Sequence, residues 1–399
     1  MEIRPILSSL RQHKLAALLI VLEIAVACAI LCNAVFVIRE RLQRMQVVTG
    51  VAESELVWIK NDGIDGDQAM ALLQRNLAAL RGVPGVKSAA LVFPLPLANT
   101  SMNFNPSMDE AGKQHGPNIG MFVGSQGYLQ TLGVKLVEGR DFDAADFDDT
   151  DSWLPRSPVM IVTRTLAGRL WPGQEALGQA FWVGKKRYSV IGVVEHLVRG
   201  DLRGTASEYT AMFAARPNRL FSGLYVLRVD PQARGRVVRD ASELLLKLNP
   251  EMLINDKGTY PELRAAYFKQ DASMAWMLAT VCIALLIITA LGIVGLASFW
   301  VSQRRKQIGV RRALGARRRD ILRYFQTENF LIVSAGIALG MLLAYGINLF
   351  LMTRYELPRL PWQYLPMGAV TLWLLGQAAV LAPALRAAAV PPVVATRSV

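Results

Sequence analysis

Residues 272–301 read ASMAWMLATVCIALLIITALGIVGLASFWV, a stretch without a single charged side chain. A helix needs roughly 20 apolar residues to cross about 30 Å of hydrocarbon, so this stretch predicts a membrane-spanning helix. Three other runs are similarly apolar and long, and we therefore predict a bundle of four spans. The predicted transmembrane helices are residues 15–38, 272–301, 327–352 and 365–386.

The region between the first two spans, residues 39–271, is polar and long enough to fold around its own core. Strand–helix–strand patterns near its two ends, within 55–119 and 206–260, predict two split β-α-β units. Residues 120–205 lie between these patterns and predict an inserted mixed α/β subdomain. The predicted fold class is therefore a membrane protein, an α-helical four-span bundle plus a large extracytoplasmic α+β domain.

The distribution of charge predicts the orientation of the chain. Residues 39–271 carry 28 basic and 26 acidic side chains, whereas residues 302–323 carry nine basic side chains and one acid. Basic loops stay on the cytoplasmic side of a membrane, so the net charge of +13 reflects topology and does not indicate nucleic-acid binding. The predicted segments are a cytoplasmic N-terminus (1–14), a cytoplasmic loop (302–326), a short outer loop (353–364) and a cytoplasmic C-terminus (387–399).

Enzyme chemistry and metal binding have little support in the sequence. The three histidines lack metal-ligand spacing, and GQEALGQA (173–180) has Gln179 and Ala180 where a phosphate-binding loop needs Lys and Ser or Thr. The acidic loop 141–151 lacks the Gly and Glu placement of an EF-hand, so a solvated loop is the better interpretation than a calcium site. We predict no catalytic, metal-binding or cofactor-binding residue. If the chain is a transporter, its ATP hydrolysis is expected in another subunit.

The stretch RRKQIGVRRALGA (304–316) combines basic residues with apolar ones at near-helical spacing. Three interpretations compete: a topology determinant that contacts anionic lipid, a nucleic-acid site, and a docking helix for a protein partner. The nucleic-acid reading is weak because no folded recognition module is present. Docking is favoured by Gly309 and Gly315, which frame a short helix beginning near Arg305, and Asp320 belongs to the first turn of the next helix.

Two features inside the spans attract attention. Glu23 lies near the middle of the first span, where a charge is costly; it either has a role in substrate passage or coupling, or faces the bundle interior without one. Gly336, Gly340 and Ala344 form a stripe of small residues that allows close helix packing, within the subunit or across a dimer.

Several motifs resemble the MacB/FtsX-like permeases, the membrane subunits of type VII ABC transporters that carry a MacB-type periplasmic core domain. In the outer region the family pattern is matched by Tyr128, Leu132, Gly133, Gly139, Arg140, Phe142, Ile161, Val162, Leu166, Ala167, Trp171, Pro172, Gly173, Leu177, Gly178, Ile191, Gly192, Val193 and Val194. In the basic loop and the third span it is matched by Arg304, Ile308, Gly309, Val310, Arg311, Arg312, Ala313, Leu314, Gly315, Ala316, Asp320, Ile321, Phe325 and Glu328. Gln307 replaces the usual Glu; if that acid pairs with a basic residue of the ATPase, this chain lacks the pair.

The resemblance implies a multi-pass protein of the bacterial inner membrane with a periplasmic domain. It implies a coupling helix at residues 304–316, Gln307 included, that contacts an ABC ATPase. Two such ATPase subunits would bind ATP-Mg, while a second permease copy or paralogue would complete a dimer. A periplasmic adaptor, an outer-membrane channel and membrane lipid are further expected partners. The implied function is ATP-driven export or extraction of a substrate by mechanotransmission. The alternative is an FtsX-like signalling subunit that moves an extracytoplasmic hydrolase or sensor without transport.

Overall fold

The computed structural model describes residues 14–61, 69–151, 153–202, 206–217, 223–355 and 361–391, and the chain separates into two compact units. Unit 1 comprises Met1–Gln46 and Gln270–Val399, and unit 2 comprises Val47–Lys269. The helices are α1 (Lys14–Met45), α2 (Ala69–Arg81), α3 (Tyr128–Leu132), α4 (Arg164–Leu170), α5 (Arg234–Leu248), α6 (Tyr260–Tyr267), α7 (Lys269–Gln303), α8 (Arg305–Ala313), α9 (Arg318–Tyr355) and α10 (Tyr364–Ala388). The strands are β1 (Leu56–Asn61), β2 (Val86–Phe93), β3 (Asn103–Phe104), β4 (Ile119–Gly124), β5 (Leu136–Gly139), β6 (Thr150–Asp151), β7 (Leu154–Pro155), β8 (Val159–Thr163), β9 (Ala180–Val183), β10 (Lys186–Val194), β11 (Thr210–Ala214), β12 (Leu224–Val229) and β13 (Ile254–Thr259).

Four of these helices, α1, α7, α9 and α10, are long and apolar enough to cross a membrane, which confirms the four predicted spans. Each helix extends beyond its apolar run. The largest difference is at α9, which begins at Arg318 although the predicted loop continued to 326. The Asp320 carboxylate accepts a hydrogen bond from the Arg317 backbone N–H at 2.9 Å, and this contact at the helix start explains the early beginning.

Helix α1 packs closely against α9 and α10 in unit 1. The backbone of α9 approaches α1 at two glycines: a methyl group on Gly340 would lie 2.5 Å from the Cys28 Cβ, and one on Gly336 would lie 2.8 Å from Ile24. Gly368 of α10 likewise faces the Cys32 Sγ. Small residues at these crossings let the helices approach without a cavity.

Helix α7 is the least covered of the four spans. Half of the residues in the most apolar stretch of α1 are buried inside the chain. In the corresponding stretch of α7 only 17% of the residues are buried. Outward-facing residues of α7, such as Trp276 and Leu291, are more than 60% exposed. The buried side chains of α7 follow one narrow line along the helix: Asp271, Ala275, Cys282, Thr289, Ile293, Ala297 and Trp300.

Unit 2 is built on one continuous sheet whose order begins β13-β1-β12-β2. Neighbouring strands in this part are all antiparallel. Strand β12 lies between β1 and β2, and β1 lies between β12 and β13, so β1-α2-β2 and β12-α5-β13 each skip over one strand. These are the two predicted split β-α-β units, which interleave in one sheet. Both helices pack on one face, where Leu73 and Leu77 of α2 and Val237 and Leu245 of α5 share a core with Ile59.

The sheet continues through the inserted strands in the order β4-β11-β8-β10-β5. Strands β8 and β10 are parallel, as are β4 and β11, and α4 connects β8 to the β9–β10 hairpin. The mixed α/β insertion is therefore present, but it extends past the predicted interval 120–205 at both ends. Strands β3 and β11 lie outside that interval in the sequence, but they belong to the insertion because they pair with β4.

Motif residues of the insertion serve packing and turns. Tyr128 is fully buried, and its hydroxyl donates a hydrogen bond to the Phe213 carbonyl at 3.1 Å. Gly139 has φ of 76°, and a side chain there would collide with the Ile191 carbonyl oxygen. A glycine is thus required where β5 pairs with β10.

The acidic loop is organised by an arginine of the same motif. Arg140 contacts both carboxylate oxygens of Asp146, at 2.6 and 3.2 Å, and these bonds hold the pKa of Asp146 below its ordinary value. Asp146 also accepts a hydrogen bond from the Asp143 backbone N–H in a capping box. Within the described part of the chain, no group of three or more His, Cys, Asp or Glu side chains is placed to hold a metal ion.

Candidate functional site

The predicted docking helix is α8, a short helix set between the end of α7 and the start of α9. It ends in a Schellman arrangement: the Gly315 N–H donates to the Arg312 carbonyl at 3.2 Å, and the Ala316 N–H donates to the Arg311 carbonyl at 3.0 Å. Gly315 adopts φ of 99°, a left-handed conformation that glycine enters at little cost. The prediction of a helix that begins near Arg305 and ends at Gly315 is confirmed. The expectation that Gly309 frames this helix is wrong, because Gly309 lies in the middle of α8.

One face of α8 is fixed to the chain's own helices. Ile308 is 5% exposed and packs with Ile321 and Phe325 of α9 and with Ala384 and Ala388 of α10. Gly309 beside it is buried too. Ile308 belongs to the segment 304–316 that was expected to contact a partner, but its contacts within the chain place it on the inward face.

A side-chain hydrogen bond reinforces this inward face. The Arg312 Nη1 donates to the Ala388 carbonyl at the C-terminal end of α10, at a distance of 2.6 Å. A cation at a helix C-terminus is also favoured by the partial negative charge there. Arg312 therefore serves the attachment of α8 to the bundle in addition to contributing positive charge.

The opposite face of α8 is apolar and open. Leu314 is 84% exposed and Val310 is 48% exposed, and Ala313 and Gly315 are exposed between them. A leucine this exposed at a fixed position gains nothing from the chain's own fold. The predicted coupling segment 304–316 is thus divided. Ile308 is turned inward, and Val310, Ala313 and Leu314 form an apolar ridge that is turned outward.

Polar side chains surround the open ridge. Gln307, Arg305 and Lys306 are exposed, and the Arg311 guanidinium lies 5.0 Å from the centre of the Tyr324 ring, which orients it by a cation–π contact. The exposed ridge therefore has a cationic rim.

Arg304 and Glu328 form an ion pair at the start of α8 that the sequence did not predict. Arg304 Nη1 lies 3.1 and 3.0 Å from the two carboxylate oxygens of Glu328 on α9. The Glu328 side chain is 2% exposed and that of Arg304 is 13% exposed, and the guanidinium stacks over Trp300 at 5.6 Å. The available signal in the sequence was an acid close to an apolar run, which normally needs a cation as a partner.

Glu23 and the small-residue stripe are also placed by the fold. Glu23 faces α7, where a methyl group on Gly292 would lie 2.8 Å from its Oε2, and its buried Oε1 has no hydrogen-bond partner among the described residues. The stripe Gly336, Gly340 and Ala344 faces α1 of the same chain, since the Asn33 Nδ2 donates to the Ala344 carbonyl at 3.2 Å. Neither feature lies at α8.

Two family models match the chain. The MacB-like periplasmic core domain matches residues 18–243, and the FtsX-like permease C-terminal domain matches residues 279–392. The second match includes α8, and the first includes the inserted part of unit 2.

Named relatives agree with these matches. The chain is 27% identical over 362 residues to the macrolide export ATP-binding/permease protein MacB 1/2 of Paracoccus denitrificans, covering 87% of this chain and 51% of that protein. It is 23% identical over 407 residues to the uncharacterized ABC transporter permease YknZ of Bacillus subtilis, covering 99% of this chain and 98% of that one. The chain thus spans about half the length of the Paracoccus relative.

Solved structures with remote similarity include two extracytoplasmic domains. The periplasmic region of MacB from Actinobacillus actinomycetemcomitans aligns with a TM-score of 0.37 and 12% identity, covering 57% of this chain and 97% of that one. The extracellular domain of YknZ, described as a noncanonic ABC-type transporter from Gram-positive bacteria, aligns with a TM-score of 0.33 and 16% identity, covering 50% and 100%.

The four apolar helices, the mixed α/β unit between the first two of them and the two matching family models lead to one conclusion. The chain belongs to the MacB/FtsX-type family of ABC transporter permeases.

Proposed function

We propose that this chain transmits the movement of ABC ATPase subunits across the bacterial inner membrane, and that α8 is the surface that binds the ATPase. The observation that carries this proposal is the fixed but exposed apolar ridge formed by Val310, Ala313 and Leu314. An exposed apolar ridge with a charged rim is the usual form of a helix that docks into a groove of another protein.

The attachment of α8 supports transmission as well as binding. Ile308 packs on α9 and α10, and Arg312 is hydrogen-bonded to the end of α10. A push on Leu314 would therefore displace the bundle together with α8 and would not simply bend a flexible loop. Closely packed interiors transmit such displacements because they resist compression.

The charge of the loop that contains α8 supports a cytoplasmic location. Residues 302–323 carry nine basic side chains and one acid, so this segment belongs on the cytoplasmic side, where an ATPase would be found. The N- and C-termini would then be cytoplasmic and unit 2 periplasmic. ATP-Mg would be bound by the partner ATPase, and two ATPase subunits would serve a dimer of this chain with itself or a paralogue.

The direction of the work is proposed by analogy with the named relatives. The Paracoccus relative is named a macrolide export protein, which favours export or extraction of a substrate from the periplasm or outer leaflet. A periplasmic adaptor and an outer-membrane channel are the partners that such export would use. Movement would reach unit 2 through the two chain connections at Gln46–Val47 and Lys269–Gln270.

The test is a Leu314→Asp variant of the full chain, purified from membranes of cells that also express ABC ATPases of the same genome. We expect normal membrane insertion and loss of the co-purifying ATPase, because a carboxylate would be buried in an apolar groove. Leu253→Asp is the matched control, since Leu253 is also an exposed leucine, at 66%, and lies in unit 2. Stoichiometric recovery of ATPase with Leu314→Asp would contradict the proposal.

The same preparation separates transport from the FtsX-like alternative. Co-purification of a periplasmic adaptor favours export, and co-purification of a murein hydrolase or a sensor kinase favours signalling. Both outcomes retain the role of α8 as the ATPase contact.

A further inference from the structure

Helix α7 has little packing to hold it in register. Its buried residues form one narrow line, and most of its surface is apolar and turned away from the other helices. Lipid tails are as apolar as leucine, so rotation or sliding of such a helix changes its contacts with lipid very little. Apolar packing along that one line, which includes Cys282, Ile293 and Ala297, is therefore a weak constraint on its rotation and height.

The outer end of α7 is bonded to α1. Asp271, in the first turn of α7, lies 2.5 Å from the Arg41 Nη1 near the end of α1. The side chain of Asp271 is 11% exposed and that of Arg41 is 31% exposed, so water screens this pair weakly. Removing one partner would leave the other charge partly buried and uncompensated.

The inner end of α7 is bonded to α9. Arg304 is the first residue after α7, and its guanidinium holds both oxygens of the nearly inaccessible Glu328 carboxylate. Stacking on Trp300 of α7 ties the guanidinium back to the same helix end. This pair therefore joins three elements: α7, the start of α8 and α9.

The two ion pairs lie about 50 Å apart along the axis of α7, because a helix rises 1.5 Å per residue between Asp271 and Arg304. Each joins α7 to a different neighbour, and those neighbours, α1 and α9, are packed on each other at Gly336 and Gly340. Two fixed points near opposite ends suffice to define both the height and the rotation of a helix.

We propose that the Arg41–Asp271 and Arg304–Glu328 ion pairs make α7 a strut between the cytoplasmic helix α8 and the outer end of α1. The positioning residues are Arg41, Asp271, Arg304 and Glu328. They keep α7 in register with α1 and α9 when these helices move. The fixing of α7 stands by itself, and its use in transmission rests on the proposed function.

The first experiment measures the register of α7 without any partner. Spin labels at Leu42→Cys and Met277→Cys, both exposed positions, report the α1–α7 distance in lipid nanodiscs, in a background with Cys28, Cys32 and Cys282 replaced by alanine. We expect a narrow distance distribution in the parent. Arg41→Asp and Asp271→Arg should each broaden it, and the double exchange should narrow it again.

Controls keep this experiment decisive. Glu40→Arg reverses the charge beside Arg41 and should leave the distribution narrow. Asp271→Asn removes the charge at nearly constant volume. This variant is used in place of the charge reversal if Asp271→Arg prevents membrane insertion. Narrow distributions in Arg41→Asp and Asp271→Asn would overturn the proposal, whatever the ATPase does.

The second experiment tests the use of the strut. With the ABC ATPase that binds the parent chain, ATP should shift the Leu42–Met277 label distance, and Glu328→Gln should reduce the coupled ATPase stimulation about tenfold. A parent that binds no ATPase would contradict the proposed function and leave the register result intact. A bound ATPase with full stimulation in Glu328→Gln would overturn the strut's role in transmission.

Discussion

At the scale of single residues, the membrane bundle depends on small side chains at close crossings. The spacing of Gly336, Gly340 and Ala344 predicts close packing, because residues four apart share one helix face. The sequence could not name the helix they contact. That choice depends on the bundle arrangement, which the structure gives as α1 of the same chain, with Asn33 bonded to the Ala344 carbonyl.

Replacing Gly340 with valine should separate α9 from α1. A Cβ at this position would lie 2.5 Å from the Cys28 Cβ and 2.7 Å from the Ala25 carbonyl oxygen. We expect a loss of about 2 kcal/mol in the stability of the bundle, the usual cost of overpacking. Gly346→Val is the matched control on the same helix, because nothing lies within 4 Å of a Cβ there. Thermal unfolding in detergent measures both, and equal midpoints would contradict this packing.

At the scale of elements, the strands and helices of unit 2 follow closely from sequence patterns. Strand β2 (Val86–Phe93) and helix α5 (Arg234–Leu248) lie within the predicted intervals 55–119 and 206–260. The pairing of β1 with β12 and β13 could not be read from the sequence, because strands far apart in the chain meet through the whole sheet. The divided surface of α8 has a similar cause: periodicity identifies an apolar face, but only packing shows that Ile308 is covered and Leu314 is not.

The end of α8 should be sensitive to the residue at position 315. Gly315→Ala would place a Cβ in a left-handed conformation at a cost of about 1 kcal/mol, while no neighbour lies within 4 Å to add a clash. We expect faster hydrogen exchange at Gly315 and Ala316, whose N–H groups close the Schellman arrangement. Gly315→Asn should restore most of the protection, because asparagine tolerates this conformation. Unchanged exchange in Gly315→Ala would show that the cap does not hold the helix end.

At the scale of the whole molecule, hydropathy and charge predict both the number of spans and their orientation. Four apolar runs became four long helices, since backbone groups in hydrocarbon must be satisfied within one helix. The ion pairs at the ends of α7 could not be predicted from the sequence, because a carboxylate such as Asp271 resembles any polar residue that flanks a span. Their partners become clear only when helices from distant parts of the chain lie side by side.

The orientation can be tested with one cysteine at a time. In a background with the three native cysteines replaced by alanine, an impermeant maleimide added to intact spheroplasts should label Lys113→Cys of unit 2. It should not label Arg319→Cys at the start of α9 until the membrane is opened. Both positions are exposed, so accessibility to solvent does not distinguish them. The reverse pattern of labelling would overturn the topology and with it the cytoplasmic placement of α8.

The pairing of β1 with β13 has a mechanical consequence. Strand β1 follows shortly after the chain enters unit 2 at Val47, and α6 alone separates β13 from the exit at Lys269. In the antiparallel register Val57 is opposite Thr259, so the entering and leaving segments join the sheet at the same end of two adjacent strands. A load that moves both connections together acts as a torque on one edge of the sheet and turns unit 2 as a body. A load that draws them apart would instead open the β1–β13 ladder one hydrogen bond at a time.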